Sequence, residues 1–273
     1  MAALSWILAR TPLPVAAAFA CAVSWLWWVV APVRRRLAER NFRASLPGLP
    51  PGPALRRMTR GIVLGYFELL REMRRPGTVR FDVEVAEALR ESSRRGEGAL
   101  LLGGHFGSWD LVGNLLPGRT GIPMSTIGKV PHSRGAADLI ARAREAFGLG
   151  SIPPDERAMR RVMRLLAEGQ LVVFTLDQNH PGGLPVPFFG RPALAATALA
   201  AVAARRRVPV YFCEHWREGT GHHRALISGP LPTTGRVEDD TVAFTRRVED
   251  AIRRRPHNWL WLHNRWKGVP ARG

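Results

Sequence analysis

Apolar and polar positions along the chain follow two patterns. Short apolar runs typical of buried strands alternate with longer stretches in which apolar residues recur as they do on one face of a helix. The predicted strands cover residues 99–102, 170–176, 208–213 and 224–228. The predicted helices cover residues 56–73, 109–116, 135–147, 156–168, 192–207 and 238–255. Strands that alternate with helices of this length predict an α/β domain with a mostly parallel sheet flanked by helices.

The first part of the chain has a different pattern. Residues 11–33 carry no charged side chain, and Arg34, Arg35 and Arg36 follow at once. A spanning helix needs about 20 apolar residues, and basic residues beside it favour the cytoplasmic side. We therefore predict that residues 1–36 anchor the protein in a membrane, spanning it or lying in one leaflet, and that residues 37–273 form a cytoplasmic domain. The alternatives are a helix docked on the domain and a cleaved signal peptide, whose basic residues would instead precede the apolar stretch.

The charge of the chain is strongly positive. Its 40 lysine and arginine residues stand against 22 acidic ones, for a formal net charge of +18, and only Lys129 and Lys267 are lysines. Arginine forms bidentate contacts with phosphate and carboxylate groups, so the excess predicts an anionic partner: a nucleic acid, an acidic membrane surface or a phosphorylated substrate. A basic nucleic-acid-binding protein is an alternative, although no helix-turn-helix, zinc-finger or RNA-binding motif is present. The two cysteines, Cys21 and Cys213, lie far apart in the sequence and do not indicate a disulfide framework.

Two residues after the first predicted strand indicate proton-transfer chemistry. In Gly103-Gly-His-Phe-Gly-Ser-Trp-Asp110 the glycines allow a sharp turn at His105, and Ser108 can cap the next helix with Asp110 in its first turn. Ligand sites in parallel sheets lie beyond the carboxyl ends of strands. A strand–loop–helix corner can fold Asp110 back onto the imidazole, and we expect this contact. A carboxylate on one ring nitrogen fixes the tautomer and leaves the other nitrogen as a general base. A capping aspartate beside an incidental loop histidine is the alternative explanation.

This segment resembles the His-x4-Asp/Glu motif of the lysophospholipid acyltransferase superfamily. Within it, the chain is most similar to the bacterial lipid A late acyltransferases and their relatives, including the phosphatidylinositol mannoside acyltransferases. Four more blocks agree in order, so that the resemblance covers residues 100–267: Leu176-Asp-Gln178, Val186-Pro-Phe-Phe-Gly-Arg-Pro-Ala193, Arg207-Val-Pro-Val210 and Trp259-Leu-Trp-Leu-His-Asn-Arg-Trp-Lys267. Asp110 stands where the lipid A branch usually has glutamate, and Asn264 where arginine is common.

The resemblance implies an α/β enzyme of the lysophospholipid acyltransferase type, bound to the inner membrane with its catalytic domain on the cytoplasmic face. It would transfer a fatty acyl group from acyl carrier protein or coenzyme A to a hydroxyl of an anionic lipid, without a bound cofactor. The acceptor would be a lipid A precursor-like glycolipid, a lysophospholipid or a phosphatidylinositol mannoside. His105 would take the acceptor's proton, and Asp110 would orient His105 and stabilise its cation. A non-catalytic relative that binds membranes is the alternative.

Seven further residues are candidates for substrate binding. They are Arg144, Asp177, Gln178, Phe189, Gly190, Arg191 and Arg217. Asp177 would order the site by hydrogen bonding, and Arg191 or backbone amides near Gly190 would stabilise the oxyanion of the tetrahedral intermediate. Arg144 and Arg217 would meet phosphates of the acceptor or of the donor's phosphopantetheine.

The remaining histidines predict no metal site. His180 follows Asp177 as D-x-x-H, and His222 and His223 form a pair, but neither arrangement completes a set of three or four ligands. His263 lies in the tryptophan-rich block and is interpreted as structural. The segment around Ser108 is not a G-x-S-x-G elbow, so a serine hydrolase is not predicted either.

Overall fold

A seven-stranded sheet with helices on both faces organises the chain, whose computed structural model describes residues 10–30, 33–128 and 133–268. The strands are β1 (Arg80–Val85), β2 (Ala99–Gly103), β3 (Met124–Ile127), β4 (Leu149–Ile152), β5 (Leu171–Thr175), β6 (Leu184–Phe188), β7 (Arg191–Ala195), β8 (Val210–Gly219) and β9 (His222–Ser228). The helices are α1 (Leu13–Val29), α2 (Arg35–Ser45), α3 (Pro51–Arg74), α4 (Glu87–Arg94), α5 (Trp109–Thr120), α6 (Arg134–Phe147), α7 (Ala158–Ala167), α8 (Ala198–Arg206) and α9 (Val237–Arg254). A 3₁₀ turn, Pro256–Asn258, follows α9.

The strand order of the main sheet is β1-β9-β8-β2-β5-β3-β4. Every neighbouring pair is parallel except the antiparallel pair β8–β9, which confirms the prediction of a mostly parallel sheet. Strand β2 lies at the centre and is buried on both faces: Leu100 and Leu102 belong to one core cluster, Ala99 and Leu101 to the other. Strands covered on both sides are continuous apolar runs, which is why this one was recognisable from sequence.

The amino-terminal helix α1 lies along α3. Ala16, Ala20, Ser24 and Trp28 are buried, and their spacing of four places them on the same face of α1. The Ser24 hydroxyl lies 2.5 Å from the Thr59 hydroxyl, which also accepts a hydrogen bond from the Trp28 indole at 3.0 Å. Within the described ranges, no helix combines the length and apolarity that crossing a bilayer requires. The docked helix was the sequence alternative, and a spanning anchor over residues 1–36 is not confirmed.

The prediction of one helix over residues 192–207 is wrong. Its first part is β7, which pairs with β6 across a turn where Phe189 and Gly190 have φ of 51° and 71°. The helix α8 begins only at Ala198. Alanine favours helices, but Ala193 and Ala195 alternate into the core of the hairpin, so tertiary packing overrides the local preference.

Several short elements were missed from the sequence. They are α2, α4 and the strands β1, β3, β4 and β6. Strand β1 lies at an edge of the sheet and has only one fully buried residue, Phe81, among charged neighbours, so it lacks the apolar run of a central strand.

Candidate active site

The parallel register of β2 and β5 brings His105 and Asp177 together. Gly103 pairs with Thr175 at the ends of these strands, and His105 and Asp177 each lie two residues further on. The backbone N–H of His105 donates to Oδ2 of Asp177 at 2.9 Å, and the ring nitrogen Nδ1 lies 2.9 Å from Oδ1. Asp177 was predicted to order the site by hydrogen bonding; these hydrogen bonds to His105 are consistent with that role, which stays a prediction.

The carboxylate of Asp177 is 1% exposed and is held ionised by its surroundings. Burial acts to raise its pKa, but the charge of His105 and hydrogen bonds from that residue and from the Trp259 indole outweigh burial and lower it well below its ordinary range. The Trp259 indole nitrogen donates to Oδ2 at 2.9 Å. An ionised carboxylate at Nδ1 keeps the proton on that nitrogen and leaves Nε2 with a lone pair.

The other ring nitrogen of His105 faces Gln178. The Gln178 amide nitrogen lies 3.1 Å from Nε2, so it donates to the lone pair of that nitrogen. Burial acts to lower the pKa of His105, while the Asp177 charge, its hydrogen bond and then the Asp110 charge raise it, and the net direction is upward. The His105 side chain is 20% exposed. An imidazole that is held at one nitrogen and accessible at the other can act as a general base.

Asp110 does not occupy the position that the sequence analysis gave it. Among the described residues, no hydrogen bond joins it to His105, and the Tyr66 hydroxyl instead donates to its Oδ2 at 2.9 Å. Burial raises the pKa of Asp110, against the Tyr66 hydrogen bond and the charges of His105 and Arg144. Asp110 is therefore an electrostatic neighbour of the imidazole, and Asp177 is the carboxylate within hydrogen-bond distance of it. No sequence signal pointed to Tyr66.

Ser108 occupies the N-cap position of α5 but makes no side-chain cap, contrary to expectation. Its hydroxyl accepts a hydrogen bond from Arg217 at 2.8 Å and donates to the Gly61 carbonyl at 3.3 Å. Helix α3 packs tightly here: a Cβ on Gly65 would lie 2.5 Å from the Ser108 Oγ. The side chain is thus engaged by α3 and is not free to cap α5.

Arg217 belongs to a buried charge cluster on the α3 side of this turn. Glu68 is fully buried and accepts hydrogen bonds from Arg217 and, at 2.9 Å, from His223. Burial acts to raise the pKa of Glu68, but the hydrogen bonds from His223 and Arg217 outweigh burial and lower it to about 2. Because Glu68 neutralises Arg217, the predicted contact of Arg217 with a phosphate stays a prediction.

Arg144 lies on the Asp110 side of the site. Its charge acts on the pKa of Asp110, and burial lowers the pKa of Arg144 itself. Its Nη1 donates to the Ser151 hydroxyl at 3.0 Å. The structure thus brings Arg144 near Asp110, and its role towards phosphate remains a prediction.

The turn between β6 and β7 has partners other than the imidazole. The Phe189 amide donates to Glu249 at 2.5 Å, and Arg191 donates to the Ser45 hydroxyl at 2.9 Å. The Arg191 guanidinium also lies 3.6 Å from the centre of the Trp266 ring. These contacts join the turn to Glu249, Ser45 and Trp266, and the oxyanion role of Gly190 and Arg191 stays a prediction.

The tryptophan-rich block near the carboxyl terminus lies beside the His105 turn. Phe106 and Trp259 form an isolated antiparallel bridge, and the Leu260 amide donates to the His105 carbonyl at 3.2 Å. Gly107 has φ of 43°, and a Cβ there would lie 2.6 Å from Oδ1 of Asn258, so this contact requires glycine. His263 accepts a hydrogen bond from the Asn179 amide at 2.9 Å, in line with a structural role.

Candidate metal ligands do not cluster in the described part of the chain. That part contains no group of three or more histidine, cysteine, aspartate or glutamate side chains that could hold an ion.

Comparison with known proteins agrees with the family resemblance found in the sequence blocks. The sequence profile described as bacterial lipid A biosynthesis acyltransferase matches residues 1–268. A lipid A biosynthesis palmitoleoyltransferase of Escherichia coli (strain K12) is 25% identical over 199 residues, 70% of this chain. A lipid A biosynthesis acyltransferase of Shigella flexneri matches with the same identity and coverage. The match spans 63% of the length of each relative.

Proposed function

Because the chain belongs to the bacterial lipid A biosynthesis acyltransferase family, we propose that it transfers a fatty acyl group from a thioester to a hydroxyl of a lipid A precursor-like anionic glycolipid. The thioester donor is acyl carrier protein or coenzyme A. The observation that carries the proposal is the His105–Asp177 pair at the carboxyl end of the central strands, in which Nδ1 of His105 faces the carboxylate and Nε2 keeps a lone pair. A lysophospholipid acceptor is the second candidate, since aspartate at position 110 is similar to the glycerolipid branch.

In the proposed reaction, Nε2 of His105 removes the proton of the acceptor hydroxyl. The oxygen attacks the thioester carbonyl carbon, and the tetrahedral intermediate collapses as the C–S bond breaks. The leaving thiolate takes the proton back from the imidazolium. Asp177 keeps Nδ1–H in place throughout and stabilises the transient cation, because its carboxylate is ionised and buried.

Gln178 marks the position that the acceptor must take. Its amide donates to Nε2 at 3.1 Å, where the hydroxyl of the acceptor would have to donate during proton transfer. We assign to Gln178 the role of a group that holds Nε2 until the acceptor replaces it, after which its amide is free to bind the substrate.

Asp110 acts in this proposal through its charge. A buried carboxylate near the imidazole makes the cationic state of His105 easier to form, which lowers the barrier to proton uptake. Tyr66 supports the ionised form by donating to Oδ2. Arg144 limits the accumulation of negative charge on the same side of the site.

We also propose that α1 contacts the membrane. Outside its buried face, α1 exposes large apolar side chains: Val15, Phe19, Trp25, Leu26 and Val29 are each between 48% and 59% exposed. An in-plane helix buries such a face among lipid head groups and upper acyl chains. We propose that this face rests on the cytoplasmic leaflet of the inner membrane, with Arg34–Arg36 near anionic lipids.

Mass spectrometry of total lipids tests the function. Cells without the gene are complemented with the wild type, with His105→Ala or with His222→Ala. The last is the control, because His222 of β9 pairs with Asp82 of β1 and not with Asp177. A lipid that gains one acyl chain with the wild type and His222→Ala, but not with His105→Ala, supports the proposal. The loss for His105→Ala should exceed about 100-fold. A wild type that changes no lipid, or an active His105→Ala protein, contradicts it.

A further inference from the structure

A cavity of about 620 Å³ lies between α1, α3 and the β8–β9 turn, a volume typical of sites for small ligands. Gly107 is part of its lining, two residues after His105, and the chain can span at most about 7 Å over that interval. The cavity is thus next to the proposed reaction centre but on the α3 side of the turn, and its lining includes neither His105 nor Gln178.

The lining of this cavity is strongly basic. Arg56, Arg57 and Arg60 line it from α3, and within the described residues none of the three has an acidic partner. Glu218 is the one acidic side chain of the lining, and it already accepts a hydrogen bond from Trp216 at 2.7 Å. Arg217 also lines the cavity but is neutralised by Glu68. Arg60 lies one helical turn after Arg56 and Arg57, so its charge repels theirs, and an anion bound among the three would relieve that repulsion.

His257 also lines the cavity. Burial and then the charges of Arg57 and Arg255 lower its pKa to about 4. A neutral His257 adds no charge of its own at neutral pH and can accept or donate a hydrogen bond to a bound group. The basic character of the cavity therefore comes from the three arginines of α3.

The wall opposite the arginines is apolar and belongs to the helix proposed to touch the membrane. Trp25 and Cys21 of α1 contribute to it, and Trp25 is 59% exposed. Indole side chains favour the interface between head groups and acyl chains. A ligand that fits both walls carries phosphate on one part and an apolar chain on another.

We propose that this cavity binds a phosphate group of the lipid acceptor's head and that Arg56, Arg57 and Arg60 are its ligands. The proposal rests on the function proposed above and extends it: the phosphate would be fixed beside Gly107 so that a hydroxyl elsewhere on the head reaches Nε2 of His105. The membrane face of α1 favours a lipid-borne phosphate over the phosphates of the soluble donor, because a lipid head enters from that side.

Binding of short-chain lipids to the purified full chain tests the proposal without requiring turnover. The probes are dihexanoyl phosphatidic acid, dihexanoylglycerol without phosphate, inorganic phosphate and coenzyme A, each titrated calorimetrically. The variant is Arg56→Gln with Arg57→Gln and Arg60→Gln. The control is Arg160→Gln with Arg205→Gln and Arg206→Gln, three exposed arginines outside the cavity that give the same change in charge.

We expect the wild type and the control to bind phosphatidic acid at least about tenfold more tightly than dihexanoylglycerol. The cavity variant should bind the two lipids equally. Retained discrimination in the cavity variant, or an equal loss in the control, would overturn the proposal, the latter because it shows unspecific attraction to the basic surface. Displacement of the lipid by coenzyme A would assign the cavity to the donor, and inorganic phosphate binding as tightly as the lipid would assign it to a soluble anion.

The proposed acyl transfer and the proposed phosphate site can be contradicted independently of each other. A wild type that passes this binding test but acylates no lipid would contradict the proposed function and leave the phosphate site standing. A wild type that acylates lipids while the cavity variant keeps its preference for phosphatidic acid would leave the function standing and remove the site.

Discussion

The indole nitrogen of Trp259 donates a hydrogen bond to Oδ2 of Asp177 at 2.9 Å, and Oδ1 of the same carboxylate holds Nδ1 of His105 at 2.9 Å. Three parts of the chain that lie far apart in sequence thus meet at one buried carboxylate. The tryptophan-rich block does more than fill the core, because it supplies a donor that favours the ionised form of Asp177.

Asp177→Asn should reduce kcat by about 10²- to 10⁴-fold. The amide can donate to Nδ1 and so force the proton onto Nε2, which removes the lone pair that accepts the substrate proton. Single-turnover acyl transfer measures the effect. The control is Asp155→Asn, which removes a carboxylate that pairs with Arg161 on the surface. A kcat within a factor of three of the wild type, with Asp155→Asn also unchanged, would contradict the role of Asp177.

Asp110→Asn should shift the acid limb of kcat/KM to lower pH. Asp110 raises the pKa of His105 through its charge, so its removal lowers that pKa and the base is free at a lower pH. Tyr66→Phe should shift the limb in the same direction but less, because the buried carboxylate loses its donor and becomes harder to ionise. Profiles measured from pH 5 to 9 check both, and an unchanged or upward-shifted limb for Asp110→Asn contradicts this electrostatic role.

Trp259→Phe should lower the free energy of unfolding by about 2 kcal/mol, since it removes a hydrogen bond to a charged group in the core. It should also lower kcat. Trp261→Phe is the control: its indole donates to the neutral Pro256 carbonyl at 2.7 Å, so it makes the same change of side chain without removing a bond to Asp177. Chemical denaturation and kcat are measured for both. Equal effects of the two substitutions on kcat would mean that the Trp259 bond has no special part in the site.

Glu68→Gln should destabilise the fold by about 3–5 kcal/mol, because Arg217 is left buried without its counter-charge. The pKa of Glu68 is lowered from 4.5 to about 2, so its contribution to stability is present above pH 4.5 and is lost as the pH falls towards 2. Urea denaturation of the wild type should therefore show stability falling through that range. Glu68→Gln should remove this part of the pH dependence, and a variant with the same slope as the wild type would contradict the assignment.

Leu26→Asp with Val29→Asp should release the protein from anionic vesicles. Both side chains lie on the exposed face of α1, and charge is costly in the lipid interface. The control is Leu49→Asp with Met159→Asp, two exposed apolar residues away from α1 with the same change in charge. Sedimentation with vesicles of phosphatidylglycerol and phosphatidylcholine measures the bound fraction. If both pairs bind like the wild type, α1 is not the membrane contact.

The central strands and the position of His105 at the end of one of them were readable from the sequence. Strands β2 and β5 are buried on both faces, so they appear as apolar runs, and the chemistry of a parallel sheet lies where such runs end. The edge strands β1 and β4 gave no such signal, because they are short or rich in charged residues. The alanines after Arg191 were assigned to a helix because local propensity favours one.

The sequence by itself determined the class of fold, the position of His105 at a strand end and the blocks that carry the resemblance. Only the tertiary structure decided which carboxylate holds the imidazole. Asp110 is five residues from His105 and was the obvious partner, yet Asp177 takes that place because β2 and β5 pair in parallel register. Strand order and register are set by long-range packing of the whole sheet, so no local pattern records that residues two positions beyond two separate strands will meet.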